Sequence, residues 1–178
     1  MDLLSNYITK MTRRIQRISK TTIVGIVLVM AVLTLAACGG QVAQAAVKAA
    51  WIEPQVTGDT ISISVSEVIN SQIVHFRIKP TALDNEIAFM AYDLDGEIYV
   101  RANVCPPCRS IGFSLSGDTL VCDTCRTTFE AKTGDGISGG CVAYPKASVA
   151  NEIVDGKIIM SGDDLFIANQ RTNEPGWP

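Results

Sequence analysis

"CPPCRSIGFSLSGDTLVCDTC", from Cys105 to Cys125, holds two Cys-x-x-Cys pairs separated by thirteen residues. Two residues between cysteines let a tight turn direct both sulfurs to one point about 4 Å apart, as a tetrahedral ion with ~2.3 Å sulfur bonds requires. Two such pairs complete a cage. Zinc ribbons separate their pairs by about fifteen to twenty residues, so the connection here has to be a short hairpin through Gly117 and Asp118. Four cysteines also satisfy the two irons of a [2Fe-2S] cluster, and soft sulfur suits copper(I). The pattern points to metal without choosing iron-sulfur, zinc or copper.

The redox compartment bears on the rival reading of two disulfides. Lys10, Arg13, Arg14, Arg17 and Lys20 precede "TTIVGIVLVMAVLTLAA", an uncharged run of seventeen residues. That length is at the lower edge of a membrane-spanning helix, and the basic flank is retained on the cytoplasmic side. "LAAC", Leu35 to Cys38, resembles the bacterial lipobox, which implies lipidation at Cys38. Residues 1–38 are therefore expected to form a hydrophobic helix, either a signal peptide or a membrane anchor, with the rest outside the cytoplasmic membrane. Exported thiols meet an oxidising environment, which favours disulfides. A thioredoxin-like exchange site, however, belongs beside a βαβ pattern, which the sequence lacks.

Five basic side chains against Asp2 give the first 37 residues +4, so a chain total of −3 leaves −7 for the remainder. An acidic domain without clustered Lys and Arg excludes nucleic acid as a partner. Residues 39–58, rich in Ala, Gly, Gln and Val, read as a tether. A two-residue period follows: Ile61, Ile63 and Val65, then Val74, Phe76 and Ile78, then Ile87, Phe89 and Ala91. Each set lies on one face of a strand in a half-buried antiparallel sheet. "LDGE" at Asp95–Gly96 and "VDGK" at Asp155–Gly156 are two-residue hairpin signals. "KIIM" and "DLFIA" read as closing strands, no helical period follows residue 60, and residues 169–178 read as a flexible tail. The expected fold is all-β, a small antiparallel sandwich or barrel with two cysteine loops.

From Asp93 to Met160 the chain resembles a Rieske-type iron-sulfur domain. "DGEIYVRANVC" is similar to the strand entering the first ligand loop, "RTTFEAKTGDG" to the following strand with Phe129, Thr133 and Gly134, and "AYPKASVANEIVDGKIIM" to the closing strands. Cys108 and Cys125 stand where that family has histidines, Cys108 one residue late. Thiolates in place of imidazoles add negative charge and lower a cluster's reduction potential.

Residues 59–168, with "VHFRI", both pairs and "GGC" at Gly139 to Cys141, resemble the FtrD-like family of membrane iron-sulfur proteins. That resemblance implies a metal or iron-sulfur site in a membrane-linked protein of metal uptake or electron transfer, with a permease or cytochrome as partner. Cys105, Cys108, Cys122 and Cys125 are the expected ligands. Cys141 is a fifth sulfur near the site or a small buried hydrophobe. His75, the sole histidine, is a polar strand residue or a further ligand. The pairs Asp93 with Asp95 and Asp163 with Asp164 read as solvated turn acids, and Tyr92, Tyr99 and Tyr144 as sheet packing. With no nucleophile and base together, a carrier or metal-binding protein is expected rather than a catalyst.

Overall fold

The computed structural model describes residues 45–80 and 83–176. The apolar run and Cys38 lie outside the described residues. Among those described, no helix is long and apolar enough to cross a membrane.

Thirteen strands and two helices succeed one another along the described chain. In order they are β1 (Val47–Lys48), β2 (Ala50–Trp51), β3 (Gln55–Thr57), β4 (Thr60–Ser64), α1 (Val65–Ser71), β5 (Ile73–Ile78), β6 (Ile87–Leu94) and β7 (Glu97–Ala102). Then come β8 (Phe113–Ser116), β9 (Thr119–Cys122), β10 (Thr128–Glu130), β11 (Gly136–Ser138), β12 (Glu152–Val154), β13 (Lys157–Ser161) and α2 (Gly162–Asn173). They form three sheets, ordered β1-β8-β9-β10-β11, β12-β13-β4-β3 and β2-β5-β6-β7. Pairing is antiparallel except between β2 and β5, where Ala50 meets Val74 in parallel.

The β2-β5-β6-β7 sheet is the central layer, and its register explains why. Val74 opposes Ala91 and Phe76 opposes Phe89, while Ile73 opposes Tyr92. Alternate side chains point to opposite faces, so Val74, Phe76, Ile78, Ile87, Phe89 and Ala91 enter one core with Ile61, Ile63, Ile158, Met160 and Leu165. Ile73, Met90, Tyr92 and Leu94 enter a second core with Phe113, Leu115, Leu120, Phe129 and three cysteines, Cys105, Cys122 and Cys141. The sheet is thus covered on both faces, not half-buried as the alternation suggests. Its second cover is the sheet that carries the cysteine loops. Both Asp-Gly hairpins form as the sequence signals, pairing Leu94 with Glu97 and Val154 with Lys157.

Several expectations give way. The segment read as a tether carries β1, β2 and β3, because β1 pairs with β8 and β2 with β5; such distant partners leave no local signal. Val65 does not extend β4 but opens α1. "DLFIA" is helical: Ser161 Oγ accepts the Asp164 N–H at 3.0 Å and donates to Asp164 Oδ2 at 2.7 Å, a capping arrangement that starts α2. Leu165, Ala168 and Thr172 then form its buried stripe. Within the expected tail, the Thr172 hydroxyl accepts the Ala147 N–H at 2.8 Å and fixes the loop leading out of the cysteine region. Ser161→Ala should lower the unfolding free energy by about 1 kcal/mol in urea titration, since it removes this cap; no change would mean α2 starts without it.

Candidate metal centre

The two cysteine loops follow one plan. "CPPCRS" and "CDTCRT" each continue Cys-x-x-Cys with arginine and a hydroxyl residue. In the first, the Cys105 N–H donates to Ser110 O at 2.8 Å; in the second, the Cys122 N–H donates to Thr127 O at 2.9 Å. Both loops curl at the arginine, with φ of 58° at Arg109 and 61° at Arg126. An L residue in that left-handed region costs roughly 1–2 kcal/mol. Spending it twice at equivalent positions argues that the knuckle shape is required. The repeated Arg-Ser/Thr is a signal that cysteine spacing alone misses.

The sulfurs converge between these knuckles. Cys105 Sγ lies 3.9 Å from Cys125 Sγ, Cys108 Sγ 3.8 Å from Cys122 Sγ, and Cys125 Sγ 3.7 Å from Cys141 Sγ. The sulfurs of Cys105, Cys108, Cys125 and Cys141 all fall within 4.8 Å of one another; Cys122, beside Cys108, lies outside that mutual set. The five thiols among the described residues are free, at separations far beyond the ~2.05 Å of a disulfide. A tetrahedral ion with ~2.3 Å sulfur bonds sets its ligands about 3.8 Å apart, so an all-thiol donor set at these spacings fits a thiophilic metal or an iron-sulfur centre.

Cys141 reaches the pocket because Gly139, at φ 116°, lies against Thr127; a Cβ there would come within 2.6 Å of the Thr127 hydroxyl. That hydroxyl accepts the Cys141 N–H at 3.2 Å and lies 3.2 Å from Cys125 Sγ. The glycine of "GGC" thus brings the chain close to the second knuckle's own backbone. Burial pushes the Cys105 and Cys122 thiols up. Burial opposes ionisation of Cys125 as well, but hydrogen bonds from the Thr127 hydroxyl and amide, with those from the Cys122 and Cys108 thiols, outweigh it and bring this thiol down to about 6.

Two cations behind the sulfurs have no counterpart in the sequence reading. Lys146 is fully buried, with Nζ donating to Val104 O at 2.6 Å and lying 4.7 Å from the Phe129 ring centre. The buried Arg101 guanidinium donates to Tyr92 Oη at 2.9 Å, Lys146 O at 2.9 Å, Ala131 O and Lys132 O. Tyr92 in turn donates to Ala131 O at 2.7 Å and stacks on Tyr99, as sheet packing requires.

His75 is not brought into the sulfur group. It is buried against Trp51, edge to face at 5.1 Å, and its Nε2 has no hydrogen-bond partner. Burial lowers it to about 4, with Asp123 and the Phe113 backbone pulling the other way. Of the acids, Asp163 and Asp164 sit in the first turn of α2.

A β-domain with paired cysteine knuckles closing on one pocket has the donor set of a metal-binding protein. Residues 68–171 match the family described as membrane iron-sulfur containing protein FtrD-like, and the chain belongs to that family. Among solved structures, a chain of the complex of reduced oxygenase and oxidized ferredoxin in carbazole 1,9a-dioxygenase is similar with a TM-score of 0.48 and 16% identity, over 60% of this chain and 95% of that one. Sphingomonas yanoikuyae B1 ferredoxin is similar with a TM-score of 0.39 and 20% identity, over 48% of this chain and 83% of that one. No curated protein matches this chain.

The lowered His75 value has a pH consequence. Above its unfolded value of 6.5 the imidazole is neutral in both states; as pH falls towards about 4 only the unfolded chain gains the proton. Stability should therefore decline by about 3 kcal/mol more across that window in the wild-type protein than in His75→Gln. Parallel declines in denaturant titrations would assign the acid sensitivity to another group.

Proposed function

We propose that this chain is held at the cytoplasmic membrane by its N-terminal segment, faces the extracytoplasmic side, and uses an iron-sulfur centre to pass single electrons to a membrane partner. The observation that carries the reading is the convergence of sulfurs from two like-built knuckles at 3.7–3.9 Å. Membership of a family described as membrane iron-sulfur proteins supports it. Such a centre, when bound, supplies one-electron redox chemistry whose potential depends on its charge and hydrogen bonding.

The chain's own residues hold it and tune its surroundings. Cys105, Cys108, Cys122 and Cys125 are the ligands in this reading, enough for a [2Fe-2S] centre, with Cys141 a fifth sulfur against Cys125. His75 is structural. Cys108 and Cys125 are only partly buried, which leaves the knuckle tips as the approach for a donor or acceptor. A permease would link this activity to metal uptake, and a cytochrome would link it to respiration.

One observation favours a second reading. The sulfur separations match the ~3.8 Å edge of a single tetrahedral ion, as in a structural zinc module or a protein that delivers copper(I) or iron.

Anaerobically purified protein should be coloured and contain iron and acid-labile sulfide in equal amounts. Colourless protein with one zinc would favour the structural module, and one copper or iron without sulfide the delivery protein. Single serine replacements at Cys105, Cys108, Cys122 and Cys125 should each abolish the visible absorbance, while Cys141→Ser should keep the iron content and shift the spectrum. Loss of iron in Cys141→Ser with retention in Cys122→Ser would exchange their roles.

A further inference from the structure

We propose that Lys146 is a built-in counter-charge for the thiolate centre, a positioning and tuning residue that stabilises the loaded site and raises its reduction potential. This rests on the reading of the cysteines as a metal site. Its side chain is wholly removed from solvent, and its ammonium touches Val104 O, the carbonyl immediately before Cys105. The faces of Phe113 and Phe129, at 5.6 and 4.7 Å, enclose it. Those same rings pack in the core that contains Cys105, Cys122 and Cys141.

A buried ammonium without an anion costs several kcal/mol. Among the described residues no Asp or Glu is buried as a whole, though Asp93 Oδ1 is enclosed, and the ion pairs of Arg77 with Glu86 and Lys132 with Asp95 lie at the surface without Lys146. The groups in the adjoining core that could balance it are the cysteines, which become anionic when they hold a metal. Burial alone pulls Lys146 down, and these cysteines pull it back up, leaving it at about 8 and cationic at neutral pH. Four thiolates around a divalent ion leave two negative charges uncancelled, so a fixed cation nearby offsets part of that excess. Adding an electron makes the centre more negative and strengthens the attraction, which favours the reduced form.

The fold holds Lys146 in place from both sides. Arg101 donates to its carbonyl at 2.9 Å, its N–H donates to Gly134 O at 2.8 Å, and a Cβ at Gly134 would fall 2.2 Å from that carbonyl. The next residue, Ala147, is tied to Thr172 of α2. So rigid a setting for a solvent-averse cation is explained if its partner is the sulfur pocket.

A cycle of two measurements separates this role from simple packing. In chelator competition with iron or zinc, Lys146→Met should lose roughly 10- to 100-fold in metal retention, and the loaded iron protein should have a more negative midpoint potential. Metal-free Lys146→Met should melt no lower than metal-free wild type, because without the charged centre the buried ammonium lacks its partner. Lys146→Arg should keep the potential near that of wild type; should Lys146→Met fail to fold, Lys146→Gln should show the same losses. Unchanged retention and potential, or equal destabilisation of loaded and metal-free forms, would overturn the proposal. A wild-type chain that retains neither iron nor zinc would overturn the metal site itself, and this inference with it.

Discussion

Sulfur atoms less than 4 Å apart repel one another once ionised, and a buried pocket weakens the screening that water would provide. The spacings here, 3.7–3.9 Å between Cys105 and Cys125, Cys108 and Cys122, and Cys125 and Cys141, need either protonated thiols or positive charge among them. Raised Cys105 and Cys122 and a lowered Cys125 describe a metal-free pocket that holds part of its negative charge in check by protonation. A bound cation would release those protons and convert the same crowding into attraction.

The architecture around the pocket answers that constraint at successive distances. Two knuckles, each curled at an arginine of positive φ, aim the sulfurs inward. Thr127 links the second knuckle to the Cys141 segment through one hydroxyl. Behind them, Lys146 and Arg101 put two buried cations beside a core that includes Phe113, Phe129, Tyr92 and Leu120. The central sheet supports all this because its second face is given over to the cysteine-bearing sheet, while its first face packs on β4, β13 and both helices.

Much of the site is legible from sequence because it depends on local spacing: a Cys-x-x-Cys turn needs no distant partner to be recognised. The strands of the central sheet and the two Asp-Gly hairpins are legible for the same reason, since alternation and turn chemistry are short-range. What escapes depends on tertiary context. β1 and β2 form only because β8 and β5 offer free edges, and the apolar "DLFIA" reads as strand until Ser161 and Asp164 are recognised as a cap. Lys146 in "AYPKAS" looks like any solvated loop lysine; only the folded chain encloses it between aromatic rings. His75 sits on the face expected from its register, which packs on the cysteine-bearing sheet, yet its ring lies against Trp51 and outside the sulfur group.

The most direct test of the central claim is X-ray absorption at the metal edge of protein loaded in the cell and purified without oxygen. The metal should show a first shell made of sulfur at ~2.3 Å, lost when the knuckle cysteines are replaced. A shell of nitrogen or oxygen, or protein whose knuckle cysteines are recovered as disulfides with no bound metal, would contradict it.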